Sequence, residues 1–133
     1  MYSYLVLGCG VGKAIAHYLI RQADTCRVVI ADINEKDAVA LAADIEKNYS
    51  VKAIGIACDV ANEKDLSSMV QQVMDKFKSI DVLHNNAATK SKDLNAFFAP
   101  FEDYSLEEWR KIASVNLDGM MLTAKIVGRE MVK

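Results

Sequence analysis

The chain has 133 residues, 52% apolar and 26% charged, with a formal net charge of -2. This is ordinary globular composition, enough for one domain with a core; a single Pro and six Gly exclude a linker or low-complexity chain. The sequence holds no basic stripe interleaved with aromatics and no apolar run near the ~20 residues a bilayer span requires, so nucleic acid and membrane are set aside as partners. The first strand pattern is Tyr4–Leu7, preceded by no charged segment of the kind that opens a signal peptide. It leads into Gly8, Gly10 and Gly12, and a helix follows from Val11 to about Gln22. Arg27–Ala31 reads as a second strand and Glu35–Asn48 as a second helix, with Ala38, Leu41, Ala42 and Ile45 at helical spacing. Lys52–Cys58 is a third strand, Glu63–Lys78 a third helix and Asp81–His84 a short fourth strand. A polar stretch, Asn85–Asn95, precedes Phe97, Phe98 and Phe101, which either roof a pocket or pack a long connection down. Ser105 and Glu108 form a capping box, and one helix is expected from there through Trp109 and Asn116 to the chain's end.

Strands alternating with helices predict right-handed βαβ crossovers. The fold class expected is therefore α/β: a three-layer, Rossmann-like parallel sheet in the order 3-2-1-4, with residues 1–133 as one nucleotide-binding domain. In such a sheet a ligand sits at the carboxyl ends of the strands, where the order reverses.

The candidate site residues all fall at those ends. Glycine permits a tight turn and close ligand approach, and the helix that follows points unpaired N–H groups outward. The spacing 8, 10, 12 departs from the usual dinucleotide pattern and also suits an S-adenosylmethionine methyltransferase, so it leaves two enzyme classes open. Asp32 lies about 20 residues further on, where a carboxylate accepts both hydroxyls of an adenosine ribose and repels a 2′-phosphate, favouring NAD over NADP. It could instead cap the helix beginning near Glu35. Asp59 and Val60 follow the third strand, where a short acid pairs with an adenine amino group; capping of the next helix is an equal reading. Asn85 and Asn86 offer donors and acceptors to loop backbone and to a ribose, and Ala87 and Ala88 leave room for a flat ligand. Asn116 stands within a helical stretch beside Gly119, where both cost helix propensity.

Taken together, the Gly-rich turn, Asp32, Asp59-Val60, Asn85-Asn86-Ala87, Trp109 and Val115-Asn116-Leu117 resemble the short-chain dehydrogenase/reductase family across essentially the whole chain. The resemblance implies a Rossmann fold, NAD(H) as cofactor and hydride transfer to or from an alcohol or carbonyl carbon. It implies that Gly8, Gly10 and Gly12 line the pyrophosphate, with Val11 and Ile33 beside the cofactor. Asp32 would hold the ribose, Asp59 and Val60 the adenine, Asn85 and Ala87 the nicotinamide half, and Asn116 would be the tetrad Asn that supports a proton-relay water.

Three departures stand out. Only Cys9 separates the first two glycines, where the family has three residues. Ala88 replaces a usual Gly. No Tyr is followed four residues later by Lys, the family's catalytic pair, so no general acid or base is assigned. The expectation is a Rossmann unit truncated after the fourth strand and its long helix, weakly active or inactive. A non-catalytic nucleotide-binding or oligomerisation module is the alternative, with the methyltransferase reading below it.

Cys9, Cys26 and Cys58 are odd in number and widely spaced, which suits free thiols in a reducing cytoplasm. Cys9 at a helix N-terminus could have a lowered pKa, though a small residue filling a turn is the plainer reading. His17 reads as a surface or packing residue, and His84 as a strand-end His bonded to backbone; no cluster suggests a metal. The last helix carries Ile112, Val115, Leu122, Ile126, Val127 and Met131, more apolar surface than half a domain covers, so a homo-oligomer through this helix is expected.

Overall fold

A computed structural model describes residues 2–22 and 25–133, and for 25 and 26 the backbone alone. The expectation of a free thiol at Cys26 therefore lies outside the described residues. The elements are β1 (Tyr2–Leu7), α1 (Gly10–Leu19), β2 (Thr25–Asp32), α2 (Glu35–Asn48), β3 (Lys52–Ala57), α3 (Glu63–Phe77), β4 (Val82–His84), α4 (Leu94–Phe97), α5 (Leu106–Ala113) and α6 (Met120–Met131). The strands form one parallel sheet in the order β3-β2-β1-β4, as the alternation of patterns predicts. Leu5 lies beside Val29 on one side and Leu83 on the other, which aligns the carboxyl ends of β1, β2 and β4.

Side chains alternate across the sheet, so consecutive residues of β1 feed different cores. Leu5 and Leu7 join Val29 and Ala31 beneath α3 and α6, where Leu66, Met69, Val73, Ile126 and Val127 close the layer. Val6 joins Val28 and Ile30 on the opposite face, against Ala16 and Ile20 and against Ala38, Leu41, Ala42 and Ile45 of α2. Both faces being covered explains why β2 reads as a continuous apolar run. Each fully buried Leu, Ile or Val contributes about 1.5–3 kcal/mol. Arg27 fastens the amino end of the sheet, its Nη1 donating to the Phe77 carbonyl at 2.6 Å.

Helix ends follow local chemistry. Asn34 and Asn62 cap α2 and α3 by accepting from Asp37 N–H and from the N–H groups of Lys64 and Asp65. Asp32 and Asp59 are thus not the caps; each supports the turn just before one. The expected capping box at α5 is half formed. Ser105 accepts from Glu108 N–H at 3.4 Å, but the Glu108 carboxylate turns to Ser91 Oγ at 2.7 Å and Lys111 Nζ at 3.0 Å.

The single long helix expected at the chain's end is instead three segments. A π-helical turn, Ser114–Gly119, separates α5 from α6. At its end the chain packs closely: a Cβ on Gly119 would lie 2.8 Å from Val60 Cγ2, so the backbone there approaches closer than a side chain permits. Of the apolar stripe read on this helix, Ile126 and Val127 are core, and Val115 and Leu122 pack against it. Met131 of that stripe is exposed, as are Leu117, Met120 and Met121, which the stripe did not include.

Candidate cofactor site at the strand ends

The carboxyl ends of the strands surround a cleft of about 220 Å³ lined by Gly8, Asp32, Asp59, Val60, Ala87 and Val115, among others. Ile33 belongs to its wall despite being 74% exposed overall. Gly8 turns the chain out of β1 with φ +88, a left-handed conformation that favours glycine, and a Cβ there would stand 3.1 Å from Asn86 Nδ2. Two residues later α1 begins at Gly10 with no acidic side chain in its first turn, so its unpaired N–H groups offer a positive end to an anion.

Asp32 is half-buried at the end of β2. Its Oδ2 accepts from Cys9 N–H at 2.6 Å and its Oδ1 from Asn34 N–H at 2.8 Å. Each carboxylate oxygen keeps a further acceptor site, enough for a diol. Asp59 Oδ1 accepts from Ala61 N–H at 2.9 Å, fixing the turn that presents Val60.

The Asn residues hold backbone. Asn86 Nδ2 donates to the Leu7 carbonyl at 3.2 Å and ties the β1 and β4 exits together. Asn85 Nδ2 donates to the Met120 carbonyl at 2.9 Å and so faces α6 rather than the cleft. Asn116 closes a two-point clamp on Thr89: its Oδ1 accepts from Thr89 N–H at 2.8 Å, and its Nδ2 donates to Thr89 O at 2.9 Å. The Asn116 carboxamide therefore shapes the site wall through Thr89, itself a wall residue.

Gly8, Asp32, Ile33, Asp59, Val60 and Ala87 thus converge on one cleft. Gly10 faces a neighbouring cavity, Gly12 is buried against Val6 and Asn86, and Val11 is 71% exposed. Thr89 and Lys92 also line the cleft and went unread in the sequence, since a polar stretch carries no periodicity to single them out.

Cys9 is no activated thiol. Burial, then the neighbouring Asp32 carboxylate, push its pKa up to about 12, which leaves the plainer reading of a small residue filling a turn. Burial with Asp65 and Asp59 does the same for Cys58, also to about 12; both thiols are free. His84 departs from expectation: its Nε2 is buried with no hydrogen-bond partner among the described residues. His17 is a half-buried packing residue whose ring lies 6.2 Å from that of Tyr49. Phe97, Phe98 and Phe101 line neither cavity and are exposed, Phe101 by 93%. Among the described residues no group of ligating side chains suits a metal, and no helix is long and apolar enough to cross a membrane.

A family model described as short chain dehydrogenase matches residues 4–133. A D-threitol dehydrogenase of Mycolicibacterium smegmatis is 34% identical over 93% of this chain and 44% of its own length. A sorbitol dehydrogenase of Cereibacter sphaeroides is 32% identical over 92% of this chain and 43% of its own. The crystal structure of an NAD+-bound xylitol dehydrogenase superposes with a TM-score of 0.85 at 27% identity, covering 98% of this chain and 48% of that one. The chain spans about half the length of the relatives it matches. The family match decides between the two enzyme classes that the glycine spacing leaves open, and the methyltransferase reading falls.

Proposed function

This chain belongs to the short-chain dehydrogenase family, and from that premise we propose that it is the NAD(H)-binding part of an alcohol or carbonyl oxidoreductase. The observation that supports this best is the convergence of Gly8, Asp32, Asp59, Val60 and Ala87 on one cleft at the carboxyl edge of a parallel sheet. In this reading the pyrophosphate lies at the Gly8–Gly12 turn, on the amino end of α1. The ribose diol takes the remaining acceptor sites of Asp32, the adenine lies against Asp59 and Val60, and Ala87 serves the nicotinamide half, while Asn85 holds the β4 exit to α6. The bound nicotinamide would supply the hydride.

NAD is favoured over NADP because a 2′-phosphate on a ribose held by Asp32 would be repelled by that carboxylate and by Asp37 near it. Asn116 acts as a positioning residue through its clamp on Thr89. These 133 residues contain no Tyr with Lys four positions on, so binding with little or no turnover is expected of them. The polypeptide is read as a single domain working in the cytoplasm. NADH fluorescence should rise on titration, with NADPH at least about tenfold weaker. No response to NADH would remove the proposal.

A second reading, a non-catalytic module that self-associates, is favoured by the apolar surface of α5 and α6. Trp109, Leu117 and Met121 are 57%, 62% and 57% exposed, and β4 is an outer strand of the sheet. Sedimentation is expected to show a dimer at micromolar concentration that Met121→Glu weakens; a monomer throughout would contradict it.

A further inference from the structure

Charge is uneven along the carboxyl edge of the sheet. In the strand order β3-β2-β1-β4, Asp59 and Asp32 stand on one flank of the Gly8 turn, and the β4 exit with Thr89 and Lys92 stands on the other. Among the described residues that line the cleft, the charged ones are these two carboxylates and the single ammonium of Lys92. A pyrophosphate seated at the turn between them brings further negative charge, which the two carboxylates repel. The turn itself has little to offset it. Gly8 and Cys9 are the two residues between β1 and α1, and both their N–H groups are committed. Gly8 N–H donates to the Ala31 carbonyl at 2.8 Å and Cys9 N–H to Asp32 Oδ2 at 2.6 Å. What remains is the first turn of α1, whose unpaired N–H groups amount to about half an elementary charge.

We propose that the Lys92 ammonium pairs with the cofactor's pyrophosphate and is the countercharge that lets a dinucleotide enter this acidic cleft. The proposal rests on the reading of the cleft as the NAD(H) site. Lys92 suits the task because its backbone is braced while its side chain is free. Ser91 is buried; its Oγ donates to Glu108 Oε2 at 2.7 Å and accepts from Asp93 N–H at 3.2 Å. Asp93 Oδ1 in turn accepts from Asn95 N–H at 2.9 Å, and Thr89 is held by Asn116. The Lys92 side chain is exposed and has no ion pair or hydrogen bond among the described residues. Its three donors are therefore available to an anion, and only the side chain has to be ordered on binding. The pyrophosphate is then held from two sides, by the amino end of α1 and by the β4 flank.

The test is NADH titration of the 133-residue chain and of two variants, followed by fluorescence at low and high salt. Lys92→Met keeps the length of the stem and removes the charge; it should bind NADH about tenfold more weakly at low salt. Lys92→Arg should stay within about threefold of the unaltered chain. Raising the salt to about 0.5 M should weaken the unaltered chain more than Lys92→Met. Equal NADH affinity in Lys92→Met and the unaltered chain would overturn the proposal. So would Lys92→Arg as weak as Lys92→Met, which makes the stem rather than the charge the cause. A loss in Lys92→Met confined to NADPH would assign the ammonium to a 2′-phosphate and overturn it too. If the unaltered chain binds no NADH, the cofactor reading fails first and the proposal with it.

Discussion

On β1 to β3 and α1 to α3, the apolar stripes visible in the sequence are consumed by the fold. Ala38, Ile45, Leu66, Met69 and Val73 are fully buried, and Leu41 and Ala42 nearly so. Between Leu94 and Met121 the same residue types meet water: Phe98 is 76% exposed, Leu94 63% and Leu106 59%. Both regions carry amphipathic patterns, and α5 is a well-formed, capped helix. Patterning makes a helix amphipathic, but burial requires a facing layer. The first region has the sheet as that layer on both faces. The second leans on it through Val115, and through Leu122, Ile126 and Val127 of the helical stretch that follows.

Truncation in the two regions gives the largest contrast. Leu66→Ala, in the core beneath α3, is expected to destabilise the chain by about 2–5 kcal/mol in urea unfolding. Phe101→Ala should stay within about 0.5 kcal/mol. A comparable loss from Phe101→Ala would mean that the exposed segment is covered in solution. Next is the pin that holds the second region to the site. Asn116→Ala removes both Thr89 hydrogen bonds and should cost about 1–3 kcal/mol. It should also raise amide exchange at Thr89; unchanged exchange would show that the wall stands without the clamp. The smallest effect has the opposite sign. Thr123 is fully buried in α6, and its Oγ1 has no hydrogen-bond partner among the described residues. Thr123→Val replaces that hydroxyl with a methyl of similar size and should stabilise by about 1 kcal/mol. A loss on thermal unfolding would show that the hydroxyl is satisfied.

The same division governs what was legible in the sequence. Where periodicity and turn chemistry act locally, the reading matches the fold: Glu35–Asn48 agrees to the residue, and the other early elements differ only at their ends, as with Lys78, which closes α3 in a left-handed conformation. The strand order follows from the crossovers. The break at Ser114–Gly119 did not show as a break, and the close approach of Gly119 to Val60 joins residues some 60 apart in sequence. Glu108 left its capping box for Ser91, another long-range partner that no local pattern encodes. At the site, Asp32 and Asp59 stand where the strand-end argument puts them. The roles of Asn85 and Asn116 were less legible, since a donor–acceptor side chain serves a ligand or a distant carbonyl equally well. The thiol of Cys9 follows the plainer reading of a small turn residue, because burial and then the Asp32 carboxylate outweigh the helix end.

The central claim is that the carboxyl-edge cleft holds NAD(H) through Asp32. Its most direct test is NADH titration, followed by fluorescence, of the unaltered chain and of Asp32→Ala. Two charged hydrogen bonds are at stake, so the variant should bind about 100-fold more weakly while keeping its far-ultraviolet circular dichroism. Equal NADH affinity in both proteins, or no binding to either, would contradict the account.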